Sequence, residues 1–284
     1  MNHKSWKSNE NFNSGGSGRL GSELVKQFSE LEHKREQLVA EVYAPSSSDF
    51  NICSYGNMRL WYVEKTNRDI DTVIHCAAQT SAAKCSEDVE STFDTNIIGT
   101  ANVAKFCQDN KMKLVYVSTD YVFDGNKDNP DPRNGTYKEM DFDYAPLNKY
   151  SKSKLAGEFI AKMVDRHQII RCSFTENRWP YSIALVDHYT SKETVDKTAS
   201  KIIKLSLIDF NGIIHIGGKR QSVYEYASSL ENGDEIYGVS SKDFKSASLI
   251  PKDSSLDTRL YDHMLSSKYI WTGQRGNDFS FFYK

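Results

Sequence analysis

Apolar positions along this chain fall into two rhythms. Short continuous runs occur at Asp71-Thr-Val-Ile-His-Cys-Ala-Ala78, Lys113-Leu-Val-Tyr-Val-Ser-Thr-Asp120 and Gln168-Ile-Ile-Arg-Cys-Ser-Phe174. Runs of that length ending in small or hydroxyl residues predict strands buried on both faces. Between them the apolar residues return at helical spacing. Leu24, Val25, Phe28 and Leu31 form one such stripe, Ile97, Ile98, Val103 and Phe106 a second within Asp94 to Gln108, and Lys152 to Val164 a third. Leu38 to Tyr43 predicts a further strand, broken by Ala44-Pro45-Ser46-Ser47-Ser48. Strand and helix therefore alternate through residue 175, the signature of an α/β fold with a parallel, doubly wound sheet.

Past residue 175 the rhythm is less regular. Val195 to Leu205 predicts a helix, Gly212-Ile-Ile-His-Ile-Gly-Gly218 a strand closed by glycines, and Ser222 to Leu230 another helix, with one more beginning at Ser254-Ser-Leu-Asp-Thr-Arg259. The 284 residues suffice for one large domain, with or without a smaller lobe. A net charge of −2 gives no reason to expect a nucleic acid or an anionic membrane as partner. No apolar run approaches the roughly 20 residues that span a bilayer, and polar Met1 to Ser14 lacks the apolar core of a signal peptide. Five scattered cysteines predict reduced thiols in a cytoplasmic protein, and neither they nor the seven histidines have metal-ligand spacing.

Candidate chemistry gathers where the predicted strands end. Ser14-Gly15-Gly16-Ser17-Gly18-Arg19-Leu20-Gly21 opens the first helical stripe, and a glycine turn leading into a helix can bring backbone N–H groups up to a phosphate. Ala77-Ala78, Ser118-Thr119 and Ser173 fall at other strand ends, the side of such sheets where ligands bind. Asp124 to Pro146, rich in Asn, Asp, Pro and Gly, predicts a long surface loop beside them. Tyr150 and Lys154 are four residues apart at the start of the third stripe, so one helix face should carry both. An ammonium near a phenol favours the phenolate, as a general acid/base working near neutrality requires. Tyr and Lys also meet at this spacing on many solvated helices; the surrounding motifs are what give the pair meaning.

Taken in order, those motifs resemble the extended short-chain dehydrogenase/reductases, and within them the dTDP-4-dehydrorhamnose reductase group. The residues carrying the resemblance are Ser14 to Gly21, Cys76-Ala-Ala-Gln-Thr80, Asn96-Ile-Ile-Gly-Thr100, Val117 to Gly125, Tyr150-x-x-x-Lys154, Arg171-Cys-Ser-Phe174, Val186 to Ser191, His215 to Gly218 with Ser222 to Tyr226, and Pro251 to Thr258. The resemblance implies a Rossmann-like NAD(P)-binding domain over 1–175 and a small C-terminal substrate-binding lobe over 176–284, some of whose elements return to the sheet. It implies Tyr150 as proton donor to a carbonyl oxygen, Lys154 as the group that lowers its pKa and binds the nicotinamide ribose, and Thr119 as the hydroxyl that orients the carbonyl. Gly15, Gly18, Arg19 and Leu20 would wrap the pyrophosphate, Ala77 and Ala78 would let the cofactor approach, and Asp49-Phe50 would meet adenine. Asp120, Tyr121, Ser173, Phe174 and Trp179 would face the sugar nucleotide.

The implied reaction is NADPH-dependent reduction of the 4-keto group of a nucleotide-activated 6-deoxysugar. NADPH is preferred to NADH because no acid follows the second strand until Asp49, while Arg19 can pair with a 2′-phosphate. A related epimerase or dehydratase, or a non-catalytic NADP-binding regulatory subunit, would keep the same fold, and a homodimer is admitted. Three stretches depart from the group. The first strand, Asn9 to Ser14, is almost wholly polar where an apolar run is expected, so a lost or displaced strand is one expectation. Thr175 to Ala184 is short, and Ser266 to Lys284, with its Phe-Phe-Tyr ending, has no counterpart.

Overall fold

The computed structural model describes residues 10–33, 42–66, 70–127, 135–142, 144–243 and 249–266. The polar start, the Phe-Phe-Tyr ending, most of the strand expected from Leu38 and the middle of the 124–146 loop lie outside these residues. The first half runs β1 (Glu10–Ser14), α1 (Arg19–His33), β2 (Val42–Tyr43), α2 (Tyr55–Lys65), β3 (Ile70–His75), α3 (Ala82–Glu87), α4 (Val89–Phe93), α5 (Thr100–Asp109), β4 (Lys113–Thr119), α6 (Lys149–Ala161) and β5 (His167–Cys172). The second half adds β6 (Phe174–Thr175), β7 (Ile183–Leu185), β8 (Tyr189–Thr190), β9 (Glu193–Thr194), α7 (Val195–Ser206), β10 (Gly212–His215), β11 (Gln221–Ser222), α8 (Val223–Ser228), β12 (Tyr237–Val239) and α9 (Arg259–Ser266).

Six strands form one parallel sheet in the order β10-β5-β4-β3-β1-β2. Every residue of β4 is buried, as a central strand with helices on both faces must be. On one face Met58, Tyr62, Val103, Phe106 and Ala161 of α2, α5 and α6 pack on Val73, Leu114 and Ile169. On the other, Leu24 and Phe28 of α1, Ile202 of α7 and Tyr261 of α9 pack on Ile74, Val115 and Ile170. β10 brings the second half of the chain back to the sheet by pairing with β5.

Four elements depart from expectation for identifiable reasons. The polar β1 is neither lost nor displaced: its backbone pairs with β3 on one side and β2 on the other, a ladder that satisfies main-chain polar groups whatever the side chains are. The third helix starts at Lys149, one residue ahead of Tyr150, because Asn148 caps it. The Asn148 side chain accepts from Ser151 N (2.9 Å), and Ser151 Oγ accepts from Asn148 N (3.2 Å). Tyr150 therefore sits in the first helical turn. The helix expected over Asp94 to Gln108 is divided, with a π-helical turn over Asp94–Gly99 between α4 and α5. α2 carries no clear apolar stripe in the sequence, since Leu60 and Val63 stay exposed while Met58 and Tyr62 are buried.

The stretch expected to open a helix at Ser254 is extended instead. The helix begins at Arg259, whose N–H is taken by the Asp257 side chain (3.0 Å). Upstream, Leu256 packs with Val122, Phe123 and Tyr137 beneath the end of β4. Trp179, Ala184, Ala227 and Ile236 form a separate small cluster around β7 and α8.

Candidate active site

The glycine turn and the end of β3 meet directly. Gly15 has φ +92°, and a Cβ there would lie 2.7 Å from Ala77 N, so only glycine lets the two backbones touch. α1 starts four residues later at Arg19, its N-terminus at the carboxyl edge of the sheet. The loop after β3 is held by Asn96 of the π-helical turn. Its side chain accepts from Gln79 N (2.7 Å) and donates to Gln79 O (3.0 Å) and Ser153 Oγ (2.8 Å). Ser153 Oγ in turn donates to Tyr150 O (2.7 Å). One buried amide thus locks the Ala77–Gln79 backbone to the helix that carries the tyrosine and lysine.

Thr119 ends β4 and Tyr150 stands opposite, the two hydroxyls hydrogen-bonded. Burial pushes the Tyr150 phenol up; the Thr119 hydrogen bond works against that, and negative charge at Asp120 adds to it. Thr119 Oγ1 also donates to Asp120 Oδ1 (3.1 Å) and accepts from Tyr121 N (3.2 Å). Asp120 is buried, and its second oxygen accepts from Ser254 Oγ (2.6 Å), which the extended 251–257 stretch delivers. Burial pushes the Asp120 carboxyl up, and Lys192, Ser254, Thr119 and Ser173 pull it back.

Lys154, one turn on from Tyr150, is 4% exposed, with its Nζ 4.0 Å from the centroid of the Tyr116 ring. Burial lowers its pKa to about 8, moderated by Cys76, Cys172 and Glu158. Its charge rests on a ring face, and among the described residues no carboxylate forms an ion pair with it. Gly157 makes this possible: a Cβ there would stand 2.0 Å from the Tyr116 hydroxyl oxygen. One turn further, Glu158 is paired with Arg171 (Oε2 to Nη2, 2.7 Å) at 2% and 0% side-chain exposure. Ser118 Oγ donates to Glu158 (2.5 Å) and Arg171 donates to Tyr144 Oη (2.8 Å), completing a charged knot behind the site.

Of the expected site residues, Gly15, Ala77, Thr119, Asp120, Tyr121, Tyr150 and Lys154 gather along the carboxyl ends of β1, β3 and β4. Ser173 joins them from the end of β5, its Oγ accepting from Lys192 Nζ (2.7 Å). Five other side chains of the expected set have partners of their own. The Phe50 side chain is in the core, edge-on to Trp61 and Phe106, which leaves its backbone alone to meet a ligand. Trp179 donates its indole N–H to Ile183 O (2.9 Å) and packs on Tyr226, anchoring the small cluster. Arg19 pairs with Glu176 (3.4 Å), tying the glycine turn to the chain after β6. Leu20 is buried against the sheet, and Phe174 packs partly on the same cluster.

Lys192, Tyr116 and Ser254 were not among the expected site residues; each comes beside the site through contacts distant in the chain. Among the described residues, no group of His, Cys, Asp or Glu could hold a metal ion. All five cysteines are free thiols, and among the described residues no helix is long and apolar enough to cross a membrane.

Residues 12–196 match the family profile of the RmlD substrate binding domain. The chain is 32% identical over 169 residues to a probable low-salt glycan biosynthesis reductase of Haloferax volcanii, covering 57% of this chain and 52% of that protein. It is 34% identical over 144 residues to the dTDP-4-dehydrorhamnose reductase of Mycobacterium tuberculosis, covering 51% and 42%. The chain thus spans about half the length of the curated relatives it matches. Its fold superposes on the dTDP-4-dehydrorhamnose reductase of Bacillus anthracis in complex with NADP at TM-score 0.76 and 24% identity, over 91% of this chain and 93% of that one.

Proposed function

Because the chain belongs to the RmlD substrate-binding-domain family, we propose that it is an NADPH-dependent reductase acting on the 4-keto group of a nucleotide-activated 6-deoxysugar. The observation that carries this reading is the convergence of Tyr150, Thr119 and Lys154 at the strand ends, beside the Gly15–Ala77 contact. The same convergence fits a dinucleotide. Gly15 and the start of α1 offer N–H groups for the pyrophosphate, and Ala77 and Ala78 present small side chains beside them. The hydroxyl-rich end of β2, with Ser46, Ser48 and Asp49 bonded to one another, would face the adenosine ribose.

When bound, the nicotinamide supplies the hydride. Tyr150 then gives its phenolic proton to the carbonyl oxygen as negative charge builds there. Thr119 stands beside it as the second hydroxyl at the reacting oxygen. Lys154, whose charge rests on a ring face, holds the ribose and opposes the charge left on the phenolate. Lys154 does this despite its own depressed pKa, which keeps it poised near neutrality. Asp120, Tyr121 and Ser173 line the sugar side, and the reaction would take place in the cytoplasm.

The test is to mix purified protein with NADPH and a panel of 4-keto nucleotide sugars carrying dTDP, UDP or GDP, following loss of nicotinamide absorbance. Oxidation dependent on one sugar is expected, and Tyr150→Phe should reduce turnover at least about 100-fold. Tight NADPH binding without oxidation by any sugar would defeat the reductase reading in favour of a regulatory one, and undiminished turnover in Tyr150→Phe would defeat the mechanism.

A further inference from the structure

A second lysine reaches the site from the far side. Lys192 lies in the turn between β8 and β9, and its Nζ donates to Ser173 Oγ (2.7 Å) at the end of β5. Ser173 follows Cys172, which pairs with Thr119 across the β4–β5 ladder, so it lies beside the buried Asp120 carboxylate, on which both Ser173 and the Lys192 charge act. Asp120 in turn holds Thr119 Oγ1 (3.1 Å) on one oxygen and Ser254 Oγ (2.6 Å) on the other. The groups in line are therefore Lys192, Ser173, Asp120, Thr119 and Tyr150, with direct hydrogen bonds from Lys192 to Ser173 and from Thr119 to Asp120. Neither the pattern of motifs nor the proposed reaction uses Lys192.

Thr119 has one hydroxyl proton and two neighbours that can take it. In the resting site the Asp120 carboxylate takes it. Once Tyr150 has given up its proton, the phenolate becomes the stronger claimant, and a Thr119 hydroxyl turned to it would stabilise the new charge. How readily the hydroxyl turns depends on how well Asp120 is compensated without it. An uncompensated carboxylate would hold the proton and repel the phenolate.

We propose that Lys192 is a positioning residue for the reduction: by compensating Asp120 it leaves the single Thr119 proton free to turn to the Tyr150 phenolate oxygen. No bond to carbon is made or broken in this step; the hydroxyl rotates, and one hydrogen bond replaces another. The inference rests on the reductase reading for its catalytic consequence, whereas the coupling of Lys192 to Asp120 is a property of the protein itself.

The groups facing Asp120 come from every element around it. Lys192 brings the cation from the β8–β9 turn, and Tyr150 and Tyr121 bring phenols that burial pushes up. Cys172 brings a thiol at the end of β5, which burial also pushes up. Ser173, Ser254 and Thr119 bring hydroxyls. Lys192 is thus the cation of this set; burial pushes its own pKa down, and the neighbouring Asp120 and Cys172 charges pull it back up.

Two measurements test the proposal. The first uses protein labelled with ¹³C at the aspartate side-chain carboxyl, with the Asp120 signal assigned from Asp120→Asn. Lys192→Met should raise the Asp120 titration midpoint by about one pH unit or more, and Lys192→Arg should restore it. The second follows NADPH oxidation with the best sugar of the panel. Lys192→Met should lower kcat about tenfold near pH 8, with KM for NADPH unchanged. That loss should shrink as falling pH protonates Asp120, and should be relieved in Lys192→Met combined with Asp120→Asn.

An unmoved Asp120 midpoint in Lys192→Met overturns the proposal. So does a kcat loss that is uniform across pH and deepened by the second substitution, which is what a merely structural lysine would give. If wild-type protein oxidises NADPH with no sugar, the reductase reading fails, and the catalytic role of Lys192 fails with it. An Asp120 shift seen in the same protein would mark that failure as one of activity and not of the coupling.

Discussion

Two charges on the same helix, one turn apart, are treated in opposite ways. Glu158 of α6 is 2% exposed and held by Arg171, with Ser118 closing on it as well. Lys154 is equally buried but rests on the Tyr116 ring. A buried ion that is paired and hydrogen-bonded belongs to the scaffold; a buried ion left on a ring face carries a solvation cost that a ligand can relieve. The difference marks where the fold ends and the site begins, and it can be attacked from both sides.

The largest stability effect should come from breaking the paired charge. Glu158→Gln strands Arg171 at zero side-chain exposure, and removal of one partner of a buried pair costs about 3–5 kcal/mol. Chemical denaturation would register this as a fall in midpoint. A loss under about 1 kcal/mol would mean that the knot is not structural.

Lys154→Met should do the reverse. Activity should fall at least about 100-fold, while stability is retained or improved because an uncompensated buried charge is gone. The pH dependence gives the sign. The folded pKa of Lys154 is lowered from the ordinary 10.5 to about 8. Between those values the unfolded chain binds the proton that the folded chain has released, so this residue's contribution to stability rises with pH through that window. Wild-type protein should therefore gain on Lys154→Met from pH 8 to 10, and denaturation of the two proteins in parallel checks it. Lys113, similarly lowered to about 8 by burial, contributes equally to both and cancels.

Gly157→Ala probes the floor beneath Lys154. The added Cβ would stand 2.0 Å from the Tyr116 hydroxyl oxygen, so the ring must move, at a cost of about 1–3 kcal/mol. Cofactor affinity should fall with it, because the lysine loses its support; unchanged NADPH titration would show that the ring is dispensable. The smallest stability change belongs to Arg19→Ala, which removes an exposed ion pair worth under about 1 kcal/mol. Its readout is cofactor choice: preference for NADPH over NADH should drop, and an unaltered ratio would exclude Arg19 from reading the 2′-phosphate.

Much of this arrangement is legible in the chain, for reasons that differ by residue. The alternation of apolar runs and helical stripes predicts the parallel sheet because burial on two faces leaves no other pattern. Thr119, Tyr150 and Lys154 are legible because each sits at a strand end or on one helix face, where local geometry decides direction. The direction of the Phe50 side chain is not legible, since its neighbour Phe106 is 56 positions away and no local rhythm announces that contact. Lys192 and Ser254 were invisible for the same reason. β1 is the opposite case: its side chains argue against a central strand, yet ladder bonds on both edges hold its backbone there.

The hydrogen bond from Ser254 to Asp120 spans 134 residues. All six strands of the sheet lie at or before His215, ahead of Ser254 in the chain. A chain that stopped short of Ser254 would leave the aspartate beside Thr119 without one of its hydroxyl partners. The site next to Thr119 is therefore completed by a stretch that supplies none of the six strands of the sheet.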